Sequence, residues 1–401
     1  TMVPPFMSLS NKFLIQVTTE MNISRGAFTL ANTIVQGLGI FISPIVSKNL
    51  AKGNMRKIQS ISIIGFVLAY ASYSLAKSPI HLYMSSFFVG LFYLNSTLIP
   101  VSMMVTNWFV EKRGIAMSVT MAGIGLGGTI FSPIVTNLLQ NYGWRHTYLI
   151  MAGIILVVAL PVALFVLKKS PEQMGLKAYG AEKQAANNAK QGTKKQGVLI
   201  SVKESKTKLF FLLMIVGMLA NGIINSGALG QFPPALEELH GASVQAAIIS
   251  LYSLVGIFGK IFIGWINDKF GVVVSATYGC IMFGLAFVFM LLGQNTNMLY
   301  IMAVVFGFGN AIGTVIPPLV TSEVFGMEKY PEAYGMVNSA TQVGLSLGSL
   351  LVASMYDLNG SYTLAWMLLL VLTAVTLFSW VGSCLVAKRY MASDVELKQA
   401  Q

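Results

Sequence analysis

Long apolar runs broken by short polar stretches cover almost the whole chain. They fall at about residues 1–17, 26–46, 58–76, 81–107, 114–139, 146–167, 209–232, 244–265, 273–293, 297–322, 332–355 and 361–387. A helix that crosses bilayer hydrocarbon needs about 20 largely apolar residues, and all but the first run meet that length. The first contains Pro4 and Pro5 and follows directly on Thr1, so it reads as the second part of a helix whose start is missing. The pattern predicts an all-α membrane protein of twelve transmembrane helices, with both chain ends on one side. The expected organisation is a six-helix half over 1–168, a linker over 169–207, a second six-helix half over 208–390 and a tail over 391–401.

The one long polar stretch, 168–208, is rich in Lys, Gln, Ala, Asn and Gly. Its middle is expected to be flexible and its end, near Ile200–Lys208, to form a short surface helix leading into the seventh span.

Composition agrees with the pattern. Hydrophobic residues make up 55% and charged residues 10%, with a mean hydropathy of +0.70. Soluble domains carry about 25% charge, so a soluble enzyme is excluded. No cleavable signal peptide is visible. The net charge of +12 bears on orientation rather than on nucleic acid. Of 26 Lys and Arg residues, 21 fall on one set of loops, including Lys48, Lys52, Arg56, Lys57, Lys112, Arg113, Lys269, Lys329 and ten lysines between Lys168 and Lys208. The opposite loops carry Arg25, Lys77 and Arg145. Positive-inside bias then places both termini and the central loop in the cytoplasm of a cell (inner or plasma) membrane protein. Cys280 and Cys384 lie in apolar runs and read as small buried hydrophobes. His81, His146 and His240 fall near helix ends. No zinc spacing, catalytic triad or cofactor motif appears, so no cofactor is expected.

The two halves repeat one another. Ser47–Asn54 after the second span pairs with Gly264–Gly271 after the eighth. Phe109 pairs with Phe325, and Gly143 with Gly360. The spacing between partners stays at 216 or 217 residues (47 to 264, 109 to 325, 143 to 360). A steady offset points to a duplicated six-helix unit, the arrangement used by alternating-access carriers.

The stretch Gly264-Trp-Ile-Asn-Asp268-Lys269-Phe-Gly271 resembles the cytoplasmic loop motif of the major facilitator superfamily, in which an Asp and a basic residue help latch the two halves. In the first-half copy the Asp position is Ala51 and the Gly position Asn54. A narrower resemblance, to the monocarboxylate transporter and oxalate/formate antiporter branch, rests on several motifs. These are Trp108-Phe109-x-x-x-Arg113-Gly114-x-Ala116, the Gly-rich run Ala122–Gly128, Gly143-Trp144-Arg145, and Pro171-Glu172-x-x-Gly175-Leu176-x-x-Tyr179-Gly180. The resemblance implies the twelve-helix major facilitator fold and transport of small organic anions. It also gives Gly264, Asp268, Lys269, Gly271 and Arg113 as gating residues; Glu323, at the cytoplasmic end of the tenth span, reads from its position as a further residue of the inner gate. The Gly-rich run reads as helix packing, and Trp144 and Arg145 as interface anchors.

Charges inside a membrane are costly and mark function. Only Lys12, in the first span, and Lys260, in the eighth, are basic residues placed there, one in each half and neither with a matching acid. Two such cations facing one cavity call for an anion. In the branch that the chain resembles, a Lys in the first helix and an Arg four residues before the loop Gly occupy these places. The Asp that the proton-coupled members carry four residues before that Arg is Gly256 here, so exchange or facilitated diffusion fits better than a carboxylate proton relay. Tyr93, Asn95, Asn221, Asn225, Asn310, Thr314, Asn338 and Gln342 are the uncharged candidates to complete the site. The expected partners are a small organic anion, the bilayer, and a coupling proton or exchanged anion, with the protein acting as a monomer and binding no nucleic acid. The expected activity is alternating-access transport of a small mono- or dicarboxylate. Efflux of amphipathic drugs or other metabolites, and carboxylate sensing without flux, are the alternatives.

Overall fold

The computed structural model describes residues 9–23, 25–182 and 197–391. A 3-10 turn, Ser10–Phe13, leads into α1 (Leu14–Met21); α2 (Arg25–Lys52), α3 (Met55–Ser72) and α4 (Pro79–Tyr93, resuming as Leu98–Trp108) follow. The helix Arg113–Pro161 is parted at Gly143 into α5 (113–142) and α6 (144–161). Leu209–Phe270 is parted at Gly241 into α7 (209–240) and α8 (242–270). Then come α9 (Val272–Leu291), α10 (Thr296–Gly309, resuming at Ile316 and running to 325), α11 (327–359) and α12 (Thr363–Ala387). Among the described residues there are twelve rods; nine helical stretches, some of them holding two rods or a broken one, are long and apolar enough to cross a membrane, while α1 has eight residues and the start of the first run, 1–8, lies outside the described residues.

Several joints are one residue long. Gly143, Gly241 and Gly326 hold φ between 69° and 82° with ψ between 169° and 175°. That region is open essentially to glycine alone, which is why the chain can reverse there without a loop. Elsewhere side chains set the boundaries: Asn54 accepts the Lys57 amide at the start of α3, and Asn295 does the same for Asn297 at the start of α10.

Two aromatic cores organise the bundle. Phe13, Phe66, Tyr70, Trp144 and Tyr148 are buried together in the first half. Phe232, Phe283, Phe287, Phe306 and Trp366 form the counterpart in the second. Large apolar side chains such as Leu68, Val157, Phe165 and Phe378 face outward, as hydrocarbon solvent requires. Cys280 and Cys384 are buried and unpaired.

The described ends of the central connection are docked. Tyr179 donates to the Trp108 carbonyl and its own carbonyl accepts the amides of Val110 and Glu111. Val198 donates to Val324, and the Lys329 ammonium reaches the carbonyls of Val198, Leu199 and Ile200 at 2.7–2.9 Å. These two corners, Phe109 and Phe325, are repeat partners. The expected short helix is the single turn Val202–Ser205, closed by a Ser201–Glu204 capping box. The middle of the linker and the tail lie outside the described residues.

Candidate functional site

Lys52, Arg113 and Lys269 mark one end of the bundle as its basic end. There the two halves touch through glycines. A Cβ on Gly114 of α5 would collide with the Gly264 carbonyl of α8, and one on Gly264 with Ser118. The close approach brings Asp268 against the first turn of α5, where its carboxylate accepts the amides of Gly114 (2.6 Å) and Ile115 (2.8 Å). These are amides that no carbonyl within the helix can satisfy, at the positive end of the helix dipole. On the other seam, a Cβ on Gly335 of α11 would press on Pro44 and Ser47 of α2. Asn338 donates to Ser43 Oγ at 2.9 Å, and the Gln342 side chain lies against Gly39.

The α5 seam then opens. Gly114, Ser118, Met121, Gly125 and Gly128 share one face of α5 at helical spacing. A Cβ at Gly125 would meet only Ile257 Cγ1 at 3.8 Å, and one at Gly128 nothing within 4 Å. Fourteen residues, about 21 Å of helix, take the halves from contact to separation. The bundle is closed at the basic end and parted further along.

Lys260 sits about 6 Å, four helical residues, beyond the Gly264 contact. On α8, Ile257 and Gly264 face α5, while Gly256 and Gly259 face α10; Lys260 lies between these two sets. Its side chain is therefore aimed at the cleft between α5 and α10, where it is half-buried and has no ion pair among the described residues. The break in α10, a 3-10 turn Asn310–Gly313, lies beside it: Asn310 Nδ2 would be 3.7 Å from a Cβ on Gly256. On the far side of that turn, Gly313 packs against the Asn225 carboxamide. Asn225 donates to the carbonyl and Oδ1 of Asn221, leaving Asn221 Nδ2 and Thr314 Oγ1 as buried polar atoms without a partner. The structure thus gathers Lys260, Asn310, Thr314, Asn225 and Asn221 around one broken helix.

The remaining candidates lie elsewhere. In α4, Tyr93 precedes the equivalent break, a 3-10 turn Leu94–Ser96, and Asn95 is its middle residue; both are half-buried. The two breaks start 216 residues apart (94 and 310), the spacing of the loop repeat. Lys12 is in the turn before α1, exposed, and donates to Thr136 Oγ1 at 2.8 Å. Asn338 and Gln342 belong to the α2–α11 seam. In the gating set, Lys269 places its ammonium over the rings of Trp265 and Phe270 of its own helix end. Gly271 turns the chain into α9 with φ 86°. Arg113 donates to the Phe109 carbonyl, and Asp268, Glu323 and Tyr330 lie within electrostatic reach of it. Trp144 and Arg145 are not free interface anchors: both donate to Glu20, at 2.5 and 2.9 Å, and Trp144 is buried.

Sequence reasoning missed Ser43, Ser118 and Thr136, three small hydroxyls indistinguishable from helix-packing residues. It also missed both helix breaks, for which the polar run Asn95-Ser96-Thr97 was the available signal.

Comparison with known proteins agrees with this architecture. The family model described as Major Facilitator Superfamily matches residues 3–271 and 210–396. Monocarboxylate transporter 12-B of Danio rerio is 26% identical over 345 residues, covering 75% of this chain and 70% of the relative. Monocarboxylate transporter 12 of Rattus norvegicus is 25% identical, covering 84% and 73%. Among solved structures, the human organic anion transporter MFSD10 superposes with a TM-score of 0.67 at 14% identity over 93% of this chain and 89% of its own. The proton:xylose symporter XylE gives 0.62 at 15% over 100% and 97%.

Proposed function

The chain belongs to the Major Facilitator Superfamily, and on that premise we propose that this multi-pass transporter moves small organic carboxylates by alternating access. The observation that carries the reading is Lys260: a cation in the cleft, just beyond the closed contact, with no ion-paired acid among the described residues. A charge at such depth costs of order 2.5–3.5 kcal/mol by insertion scales unless something neutralises it. A carboxylate does so, and Asn310, Asn221 and Thr314 offer it donors on the same wall. The names of the relatives, monocarboxylate transporters, and of the structural neighbour, an organic anion transporter, point to the same class.

Positive-inside bias sets the basic end in the cytoplasm, so the described state is open outward. Substrate enters from outside and settles on Lys260. It lowers the cost of closing the outer side because a neutralised cation is cheaper to enclose than a bare one. The shift can be no larger than the ligand's difference in affinity between the two states. Lys12, exposed and held by Thr136, supplies a second positive charge from the opposite half. Among the described residues no acid is ion-paired to either lysine, which supports exchange or facilitated diffusion over a carboxylate proton relay.

Counterflow of labelled lactate, pyruvate, formate and oxalate in proteoliposomes tests the reading. Lys260→Gln should lower flux by roughly 10- to 150-fold, the loss of one hydrogen bond to a charged group (about 1.5–3 kcal/mol). Flux of all four at the wild-type rate in that variant rules the reading out.

A further inference from the structure

At the basic end of the first half, the α2–α3 turn and the end of α6 bring six cations together: Lys48, Lys52, Arg56, Lys57, Lys168 and Lys169. Two of them are spent on the fold. The Arg56 guanidinium donates to the Leu167 carbonyl, with Nε and Nη2 both at 3.4 Å, and the Lys169 ammonium donates to the Ala51 carbonyl. These contacts fix the two segments side by side. Lys48, Lys52 and Lys57 stay exposed, and none of the six is in an ion pair among the described residues.

The arrangement is self-repelling. Arg56 and Lys57 occupy the first turn of α3, which contains no acid, so two cations sit at the positive end of an 18-residue helix. Placed there, cations lose roughly 0.3–1 kcal/mol each. The nearest acid in sequence, Glu172, is held below the usual carboxylate range by Ser170 and by its own backbone, not by these lysines. The repeat partner of this turn is built differently: its Asp268 clasps α5, and it has a single lysine, Lys269. The first-half turn has Ala51 in place of the acid, and among the described residues it makes no such clasp and leaves Lys48, Lys52 and Lys57 outside any ion pair. Directly beside them the last turn of α6, the π-turn Val162–Val166, presents Phe165 (77% exposed) and Val166 (67%).

We propose that this turn is a binding site for an anionic phospholipid. The headgroup phosphate is held by Lys48, Lys52 and Lys57 at the N-terminus of α3, and an acyl chain lies against Phe165 and Val166. Each lysine near an anionic surface contributes about 1 kcal/mol, so three distinguish a phosphatidylglycerol from a phosphatidylcholine. A free phosphate has the charge but no tail for the apolar turn. The inference is independent of the carried substrate.

The test is native mass spectrometry and thermal unfolding of the purified protein with phosphatidylglycerol or phosphatidylcholine. Wild type should retain phosphatidylglycerol preferentially, and its midpoint should rise by about 3 °C or more. The variant K48Q/K52Q/K57Q should lose both effects. K203Q/K206Q, which removes two exposed lysines before α7, should keep them. Glycerol phosphate and inorganic phosphate should give no shift. Equal retention of the two lipids by wild type, a triple variant that keeps the preference, or a shift reproduced by soluble phosphate overturns the proposal. If the triple variant does not fold, the single variant K52Q must still weaken phosphatidylglycerol retention at least threefold.

Discussion

Asp268 does its work on backbone amides 154 and 153 residues away, in the other half. Asp268→Asn keeps an acceptor but removes the charge, so the closed contact should weaken by roughly 1 kcal/mol, about fivefold in the conformational ratio. Distance measurements between spin labels on α5 and α8 would read this as a gain in the state open at the basic end, and no change would show that the hydrogen bonds, not the charge, hold the seam. The motif around Asp268 was legible in the sequence; its target was not, because nothing local distinguishes the amides of Gly114 and Ile115 from those of any other helix start. The same limit applies to Lys269. Its place in the motif suggested a latch, and the sequence alone did not show that its ammonium rests over Trp265, one helical turn back, and Phe270, the next residue. Lys260 needed no tertiary information to be noticed, since a cation in an apolar run is conspicuous by its cost.

The spans after the first were readable because apolar length is a local property, and the 361–387 run became Thr363–Ala387. The two interruptions were not, because a few polar residues such as Asn95, Ser96 and Asn310 inside an apolar run read equally well as side chains facing a cleft or a neighbouring helix. In α10 the tightened turn depends on Gly313, where any side chain meets the Asn225 carboxamide. Gly313→Val should therefore lower carboxylate counterflow more than tenfold while leaving thermal stability within about 2 kcal/mol, the range for one overpacked contact. A larger loss of stability with flux retained would assign the break to folding instead. The linker's second docked end makes a separate claim. Lys329 serves three carbonyls, and Lys329→Met leaves them to water. Hydrogen exchange over residues 197–205 should rise in that variant and stay unchanged elsewhere. The neighbouring turn has its own pH limit. Glu204 is held below the usual carboxylate range by the Ser201 amide, so its cap is intact near neutral pH and fades as pH falls through that lowered value.

For the whole molecule, the opening of the α5 seam predicts unequal access along one helix face. With Cys280 and Cys384 replaced by Ala, a cysteine at Gly128 should react with an impermeant maleimide from the side opposite the basic end. One at Ser118 should not, unless substrate drives the halves to exchange states. Reaction at both positions from that side would mean the seam is open along its full length. The repeat was legible from loop spacing alone, and the structure adds that the helix breaks obey it too. The seams could not be read, since they join residues such as Ser43 and Asn338 that are 295 positions apart.

The one-residue joints at Gly143 and Gly241 have a practical corollary. With the brief turns at Ala76–Ser78, Leu292–Asn295 and Gly360–Tyr362, they leave the described part of the face opposite the basic end nearly bare of chain outside the helices. Proteases need several residues of slack strand, and antibodies a protruding epitope, so both should find little to grip on that face of intact vesicles. Affinity tags inserted into those joints would have to unwind a helix end to be displayed.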